Sequence, residues 1–134
     1  MIQVIEANRV PSMKVLFVCV GNSCRSQMAE GFARNSGIEV ASAGTIPAAG
    51  VAPKAVEVMA ELDIDISGQT SDLLDLDSLD RWDKVISMGC GVEDSCPALK
   101  ADEDWKLDDP VGKGLDEYRR IRDQIKKLVA ELQS

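Results

Sequence analysis

Histidine is absent from this chain of 134 residues. The protein therefore has no Ser-His-Asp triad, no Cys-His nucleophile pair and no histidine ligand for zinc. Any acid–base chemistry must use aspartate, glutamate, lysine, tyrosine or cysteine side chains.

Aromatic residues are also scarce, and positive charge is outnumbered by negative charge. A platform on which nucleic-acid bases stack is not expected from five aromatic residues, which are Phe17, Phe32, Trp82, Trp105 and Tyr118. The 15 Lys and Arg residues face 23 Asp and Glu residues, which gives a net charge of −8. Because so acidic a chain is poorly suited to bind nucleic acid or an anionic membrane through bulk charge, we predict neither partner.

Long apolar segments are missing as well. No run approaches the roughly 20 residues of a membrane span, and the first 12 residues lack the features of a secretory signal. We therefore predict a cytosolic protein, where disulfides are often catalytic or transient. The length fits one domain, which we assign to residues 13–134, with residues 1–12 as an N-terminal extension. A monomer is the simplest prediction for its assembly.

Short β-rich segments alternate with helical segments along the chain. Strands are predicted at Lys14 to Cys19, Glu39 to Ser42, Lys84 to Met88 and Trp105 to Leu107. Helices are predicted at Ser26 to Ser36, from Pro53 onwards and at Leu115 to Leu132, with short helical turns at Ser71 to Asp80 and a loop or weak helix at Gly89 to Ala98. The alternation predicts an α/β fold, a single three-layer domain with a four-stranded parallel sheet flanked by helices. Ligands of such sheets bind at the carboxyl ends of the strands.

The segment CVGNSCRS connects the first predicted strand to the first predicted helix. Its backbone N–H groups and the helix N-terminus can surround an anion, and Arg25 adds a bidentate fork for a tetrahedral oxyanion. The same donors would stabilise a Cys19 thiolate. We therefore predict Cys19 as a nucleophile and an oxyanion site formed by Val20, Gly21, Asn22, Ser23, Cys24, Arg25 and Ser26. The alternative is a structural turn with two buried cysteines.

Two further segments carry candidate groups. Asp109 lies before Pro110 in KLDDPVGK, a pattern that is also common in purely structural turns. Cys90 and Cys96 lie six positions apart, and in a continuous helix their Cα atoms would be about 9 Å apart. A disulfide needs roughly 4.4–6.8 Å, so a bond between them requires a looped segment. A zinc site is a weak alternative because no Cys-x-x-Cys pair is present.

The segment CVGNSCRSQMAEGFA resembles the catalytic loop of the low-molecular-weight tyrosine phosphatase superfamily, and more closely that of its thioredoxin-coupled arsenate reductases. The resemblance extends from Met13 to Leu132 and includes SAGT, PKAVEVM, DIDISGQTSD and WKLDDPVGK. It implies that arsenate is reduced to arsenite, with Asp109 as the general acid beside Cys19 and Arg25. It also implies that Cys90 attacks Cys19, that Cys96 resolves the resulting disulfide, and that thioredoxin or another thiol reductant regenerates the enzyme.

The resemblance also implies a potassium site, and no other cofactor. Its ligands would be Asn22, Glu30, Ser42, Thr70 and Asp72, an oxygen-rich set that suits a hard cation. The alternative is a hydrogen-bond network that makes the catalytic loop rigid.

Two other functions fit parts of the pattern. A tyrosine phosphatase would hydrolyse phosphate monoesters with Cys19, Arg25 and Asp109 alone. However, Val111-Gly112-Lys113 follows the Asp-Pro where these phosphatases commonly carry tyrosines, and the second cysteine pair would have no role. A non-catalytic oxyanion carrier would not need Arg25 and Asp109 together. The sequence therefore favours the reductase, with at most weak phosphatase activity.

Overall fold

The computed structural model describes residues 13–89 and 91–132, so the predicted extension at residues 1–12 and Cys90 lie outside the described residues. Four parallel strands form one sheet in the order β2-β1-β3-β4. The strands are β1 (Lys14–Cys19), β2 (Glu39–Gly44), β3 (Lys84–Gly89) and β4 (Glu103–Leu107). The predicted four-stranded parallel sheet is therefore confirmed.

The helices also lie close to their predicted positions. They are α1 (Arg25–Asn35), α2 (Pro53–Ala60), α3 (Val92–Ser95) and α4 (Leu115–Glu131), with a 3-10 helix at Leu76–Arg81. Strand β2 continues past its predicted end at Ser42, because Ala43 and Gly44 still pair with Val18 and Cys19 of β1. None of the helices in the described parts of the chain is long and apolar enough to cross a membrane.

The alternation of side chains along β1 divides the core into two layers. Val15 and Phe17 point to the face that packs against α1, α2 and α4. Leu16 and Val18 point to the opposite face, where they meet Val92 of α3. Both faces of the sheet are therefore covered, as the three-layer prediction requires.

The longest helix, α4, buries one apolar face. Tyr118, Ile121, Ile125 and Val129 are each at most 3% exposed. Since burial of each such apolar side chain contributes about 1.5–3 kcal/mol to the free energy of unfolding, this face holds α4 against α1. The packing fixes the helix that starts directly after the candidate oxyanion loop.

Candidate active site at the carboxyl end of the sheet

The catalytic loop, which we define as Cys19 to Arg25, connects β1 to α1. Four of its carbonyl oxygens accept backbone hydrogen bonds of 2.8–3.1 Å from the segment 45–52; they belong to Cys19, Val20, Gly21 and Ser23. Because peptide groups are planar and trans, each outward carbonyl turns the following N–H group inward. The N–H groups of the loop therefore point inward, where they can donate to an oxyanion. The first turn of α1 carries no acidic residue to compete with an anion.

Asn22 stabilises the conformation of the catalytic loop through side-chain hydrogen bonds. It is fully buried and adopts a left-handed backbone conformation with φ of 49°, which asparagine tolerates better than most residues. Its Nδ2 donates to Ser26 Oγ at 2.7 Å and to Ser42 Oγ at 2.9 Å, and its Oδ1 accepts from the N–H of Asp72 at 2.8 Å. Gly44 allows β2 to lie close to the catalytic loop, since a Cβ at this position would lie 2.7 Å from the carbonyl oxygen of Val20.

Cys19 is surrounded by hydrogen-bond partners at the base of the loop. Its Sγ accepts from the N–H of Asn22 at 3.1 Å and lies 2.9 Å from Ser26 Oγ. The side chain is buried, with 3% of its surface exposed. Asn22 and Ser26, both predicted to bind the oxyanion, thus contact the sulfur of Cys19 and do not line the cavity beside it. Both residues therefore position the sulfur of Cys19 through hydrogen bonds.

A cavity of about 270 Å³ opens beside Cys19. It is lined by Cys19, Val20, Gly21, Ser23, Cys24, Arg25, Ala48, Asp109 and Val111. Five of the seven predicted oxyanion-binding residues therefore line it, together with the predicted nucleophile and acid. Ala48 and Val111 were not predicted, because a small side chain in a loop carries no signal of its own.

Arg25 and Asp109 face each other across this cavity. Arg25 is 2% exposed, and its Nη1 donates to the carbonyl of Leu107 at 3.1 Å and to that of Met88 at 3.4 Å. Its Nη2 lies 3.8 Å from Asp109 Oδ2. The Asp109 side chain is 43% exposed, and its Oδ1 accepts from the N–H of Val111 at 3.0 Å. The carboxyl group therefore lies at the mouth, within reach of both a bound oxyanion and water.

Cys24, the second cysteine of the loop, lies in a different environment from Cys19. Burial raises the pKa of the Cys24 thiol above its usual value, so this sulfur stays protonated near neutral pH. Its Sγ is 3.9 Å from the hydroxyl of Tyr118, whose pKa burial also raises. The sequence gives no signal that the hydroxyl of Tyr118 reaches the loop.

The segment that follows Cys90 lies next to the catalytic loop. Cys96 is a free, half-buried thiol directly after the single turn of α3, and Cys90 lies outside the described residues. Gly91 contacts the loop closely, since a Cβ there would lie 2.9 Å from Val20 Cγ2. The chain therefore passes the catalytic loop one residue after Cys90, and the weakly helical segment predicted here is a single helical turn.

The five residues of the predicted potassium site form one hydrogen-bond network. Besides the bonds of Asn22, Ser42 Oγ donates to Glu30 Oε1 at 2.5 Å, and Thr70 Oγ1 donates to Asp72 Oδ2 at 3.0 Å. The guanidinium of Arg34 pairs with Glu30 Oε2. Both residues line a second cavity, of about 470 Å³, together with Ser42, Thr70 and Asp72. Because Arg34 pairs with Glu30, a potassium ion at this site would share that carboxylate with the guanidinium. The geometry fits the alternative, a network that makes the loop rigid.

We expect the melting temperature to be the same, within about 1 °C, in equimolar KCl and NaCl. An occupied site would shift the temperature by several degrees through mass action, whereas the pair of Arg34 and Glu30 responds to ionic strength alone. Differential scanning calorimetry in the two salts measures this. A rise of several degrees that is specific to KCl would restore the predicted potassium site.

Comparisons with known proteins agree with this geometry. Residues 14–134 match the family model described as low molecular weight phosphotyrosine protein phosphatase. The chain is 47% identical to arsenate reductase 1 of Staphylococcus haemolyticus, over 87% of this chain and 92% of that protein. It is also 47% identical to the glutaredoxin arsenate reductase of a Synechocystis species, over 89% of this chain and 95% of that one.

A solved structure shows the same fold. An arsenate reductase in a phosphate-binding state superposes with a TM-score of 0.78 at 47% identity, covering 90% of this chain and 95% of that chain. The strand order, the catalytic loop and these similarities agree with one another. The chain belongs to the low molecular weight phosphotyrosine protein phosphatase family.

Proposed function

We propose that this protein is an arsenate reductase that uses Cys19 as its nucleophile and a thiol cascade through Cys90 and Cys96. The observation that carries the proposal is the cavity beside Cys19, which Arg25 and Asp109 line together with Cys19 and which can hold a small tetrahedral oxyanion. Relatives that are 47% identical over most of their length carry the name arsenate reductase. One of the solved structures is in a phosphate-binding state, and phosphate has the same shape and charge type as arsenate.

The first step is nucleophilic displacement at arsenic. The Cys19 thiolate attacks the As(V) centre while inward N–H groups and Arg25 bind the oxygens that carry negative charge. Asp109 donates a proton to the departing oxygen, which leaves as water. The product is a covalent adduct between the Cys19 sulfur and arsenic, still at the oxidation level of arsenate.

The second step transfers two electrons from sulfur to arsenic. The Cys90 thiolate attacks Cys19 Sγ, the sulfur–arsenic bond breaks, and arsenic keeps the electron pair and leaves as arsenite. A disulfide between Cys19 and Cys90 results. The Cys96 thiolate then attacks Cys90, which releases Cys19 as a thiolate and leaves a disulfide between Cys90 and Cys96.

The thiol reductant regenerates the enzyme by reducing this last disulfide, and we propose thioredoxin in this role. Cys19 is 3% exposed, so a protein reductant cannot reach a disulfide buried there. Cys96 is half-buried and is followed by the exposed residues Pro97 and Ala98. The name of the Synechocystis relative makes glutaredoxin the competing reductant. A monomer in the cytoplasm, as predicted from the sequence, fits either partner.

Phosphate ester hydrolysis is the competing activity. The same cavity would accept a phosphoryl group, and the family name describes phosphatases. However, the nonpolar residues from outside the catalytic loop that line the cavity are Ala48 and Val111, and among the described residues no aromatic side chain lines it. Because an aromatic ring would gain little apolar contact there, we propose only weak activity toward aryl phosphates.

We expect Cys96→Ser to complete about one turnover and then stop. Cys96 acts only after arsenite has left, so the variant should accumulate a disulfide between Cys19 and Cys90. Arsenite released per enzyme and peptide mapping of the trapped protein measure both expectations. Wild-type protein without reductant is the matched control, since it should also stop after one turnover but with Cys90 joined to Cys96.

Peptide mapping that finds Cys19 free in the arsenate-treated Cys96→Ser variant would contradict the cascade. The reductant is tested separately with wild-type enzyme and arsenate-dependent NADPH oxidation. Thioredoxin with its reductase should support continuous turnover. If only glutaredoxin with glutathione does so, the cascade stands and the proposed partner is wrong.

A further inference from the structure

Lys106 in β4 adopts a backbone conformation that is rare for a residue with a side chain. Its φ is 54°, in the left-handed region, whereas residues of parallel strands have φ of about −120°. Among the described residues, the other non-glycine residues with positive φ are Asn22 and Asp63, whose residue types tolerate this region better than lysine does. Residues held in such conformations occur most often at functional sites, where surrounding contacts maintain them.

An extra residue in β4 accompanies this conformation. Ser87 of β3 pairs with Asp104. The next pair joins Gly89 to Leu107, so β4 has one more residue than β3 between the two pairs. Such an insertion is a β-bulge, which bends the strand and redirects the residues that follow. The N–H of Lys106 donates to Asp104 Oδ1 at 2.9 Å, and Gly89 lies directly against the bulge, since a Cβ there would lie 2.6 Å from the Leu107 nitrogen.

The residue after the bulge binds the arginine of the oxyanion site. The carbonyl of Leu107 accepts from Arg25 Nη1 at 3.1 Å, and Arg25 lines the cavity beside Cys19. A change of the Lys106 φ from 54° to the strand value is almost half a turn about its N–Cα bond. Because this rotation changes the path of every later residue, a regular strand at Lys106 would turn the Leu107 carbonyl away from Arg25.

We propose that Lys106 is a positioning residue, whose left-handed backbone conformation directs the Leu107 carbonyl toward Arg25 and so orients the guanidinium for a bound oxyanion. The inference rests on the oxyanion site of the proposed function. The role belongs to the backbone of Lys106 and not to its ammonium group, because the side chain is exposed and does not line the cavity. Substitutions at this position should therefore act according to their tolerance of positive φ.

Three variants of Lys106 remove the same charge and differ in the φ that they favour. Glycine adopts positive φ readily, alanine has the same Cβ as lysine, and valine is β-branched and favours the extended strand. Titration calorimetry of the full chain with inorganic phosphate should give an about tenfold higher Kd for Lys106→Val, the effect of one lost hydrogen bond to a charged group. Lys106→Ala should bind phosphate like the wild type, and Lys106→Gly at least as tightly.

A second pair of variants tests the bulge without a β-branched residue. Asp104→Ala removes the acceptor of the Lys106 N–H and should raise the Kd for phosphate about threefold. Asp104→Asn removes the same charge but keeps an acceptor oxygen, so it should bind phosphate like the wild type. Adding Lys106→Gly to Asp104→Ala should restore binding, because glycine adopts the left-handed conformation without that hydrogen bond. A general loss of structure would not be rescued by glycine.

Equal loss of phosphate affinity in all three Lys106 variants would assign the effect to the lysine charge and overturn the proposal. Wild-type affinity in both Lys106→Val and Asp104→Ala would also overturn it. Phosphate binding involves neither arsenic reduction nor the second cysteine pair, so these outcomes do not depend on the thiol cascade. Failure of the wild-type protein to reduce arsenate would instead overturn the proposed function.

Discussion

Replacing Cys19 with serine is expected to abolish both arsenate reduction and any phosphatase activity. The N–H of Asn22 and the hydroxyl of Ser26 contact the Cys19 sulfur at 3.1 and 2.9 Å. These donors can stabilise a thiolate, but a serine hydroxyl does not ionise near neutral pH. Serine also cannot form the disulfide with Cys90 that releases arsenite. Both the displacement and the electron transfer are therefore lost.

The measurements for Cys19→Ser are arsenite released over time and hydrolysis of an aryl phosphate. Phosphate binding by calorimetry is the control for an intact site, because the loop N–H groups and Arg25 are unchanged in the variant. The variant should bind phosphate and show no turnover. Retained turnover would show that Cys19 is not the nucleophile.

The catalytic loop could be predicted from the sequence because its signals are local. Cys19, Arg25 and the start of α1 lie within seven residues, and the strand, turn and helix patterns that flank them are short-range. The burial of Arg25 and the inward direction of the N–H groups could not be predicted locally, because they depend on the carbonyls of Met88 and Leu107 and on the segment 45–52. Asp109 needed the resemblance to a known family, since an Asp-Pro turn alone is more often structural.

The hydrogen bonds that connect the catalytic loop to distant parts of the chain could not be predicted in the same way. Asn22 reaches Ser42 and Asp72, 20 and 50 positions away, and only the parallel sheet brings these residues together. The proposed potassium ligands lie close together, and Glu30 also pairs with Arg34, four positions further along α1. This pair has the i,i+4 spacing of neighbouring side chains on a helix, so it was open to prediction from the sequence, although it is absent from our predictions.

The architecture separates two requirements of the proposed reaction. Oxyanion chemistry needs Cys19 enclosed by donors, and regeneration needs a disulfide that a protein can reach. Cys19 lies buried at the end of β1. Gly91, directly before α3, contacts Val20 of the catalytic loop. One short segment can therefore carry oxidising equivalents outward while the loop itself stays in place.

Replacing Asp109 with asparagine should lower kcat by about 10²–10⁴-fold, the usual contribution of a general acid. Asparagine has nearly the same shape and keeps an oxygen for the N–H of Val111, but it cannot supply a proton to the departing oxygen. KM for arsenate should change much less, because the oxyanion is bound by the loop N–H groups and Arg25, which lies 3.8 Å from the carboxylate. Steady-state kinetics with excess reductant gives both constants.

Asp108→Asn is the matched control for this experiment. The neighbouring Asp108 side chain is 75% exposed and pairs with Arg120 at 3.1 Å, outside the residues that line the cavity. Its loss should leave kcat within about twofold of wild type, since an exposed ion pair contributes little. If Asp108→Asn and Asp109→Asn reduce kcat equally, the effect is one of local charge. Wild-type kcat in Asp109→Asn would require another proton donor, and with no histidine in the chain that donor would have to be water or another carboxylic acid.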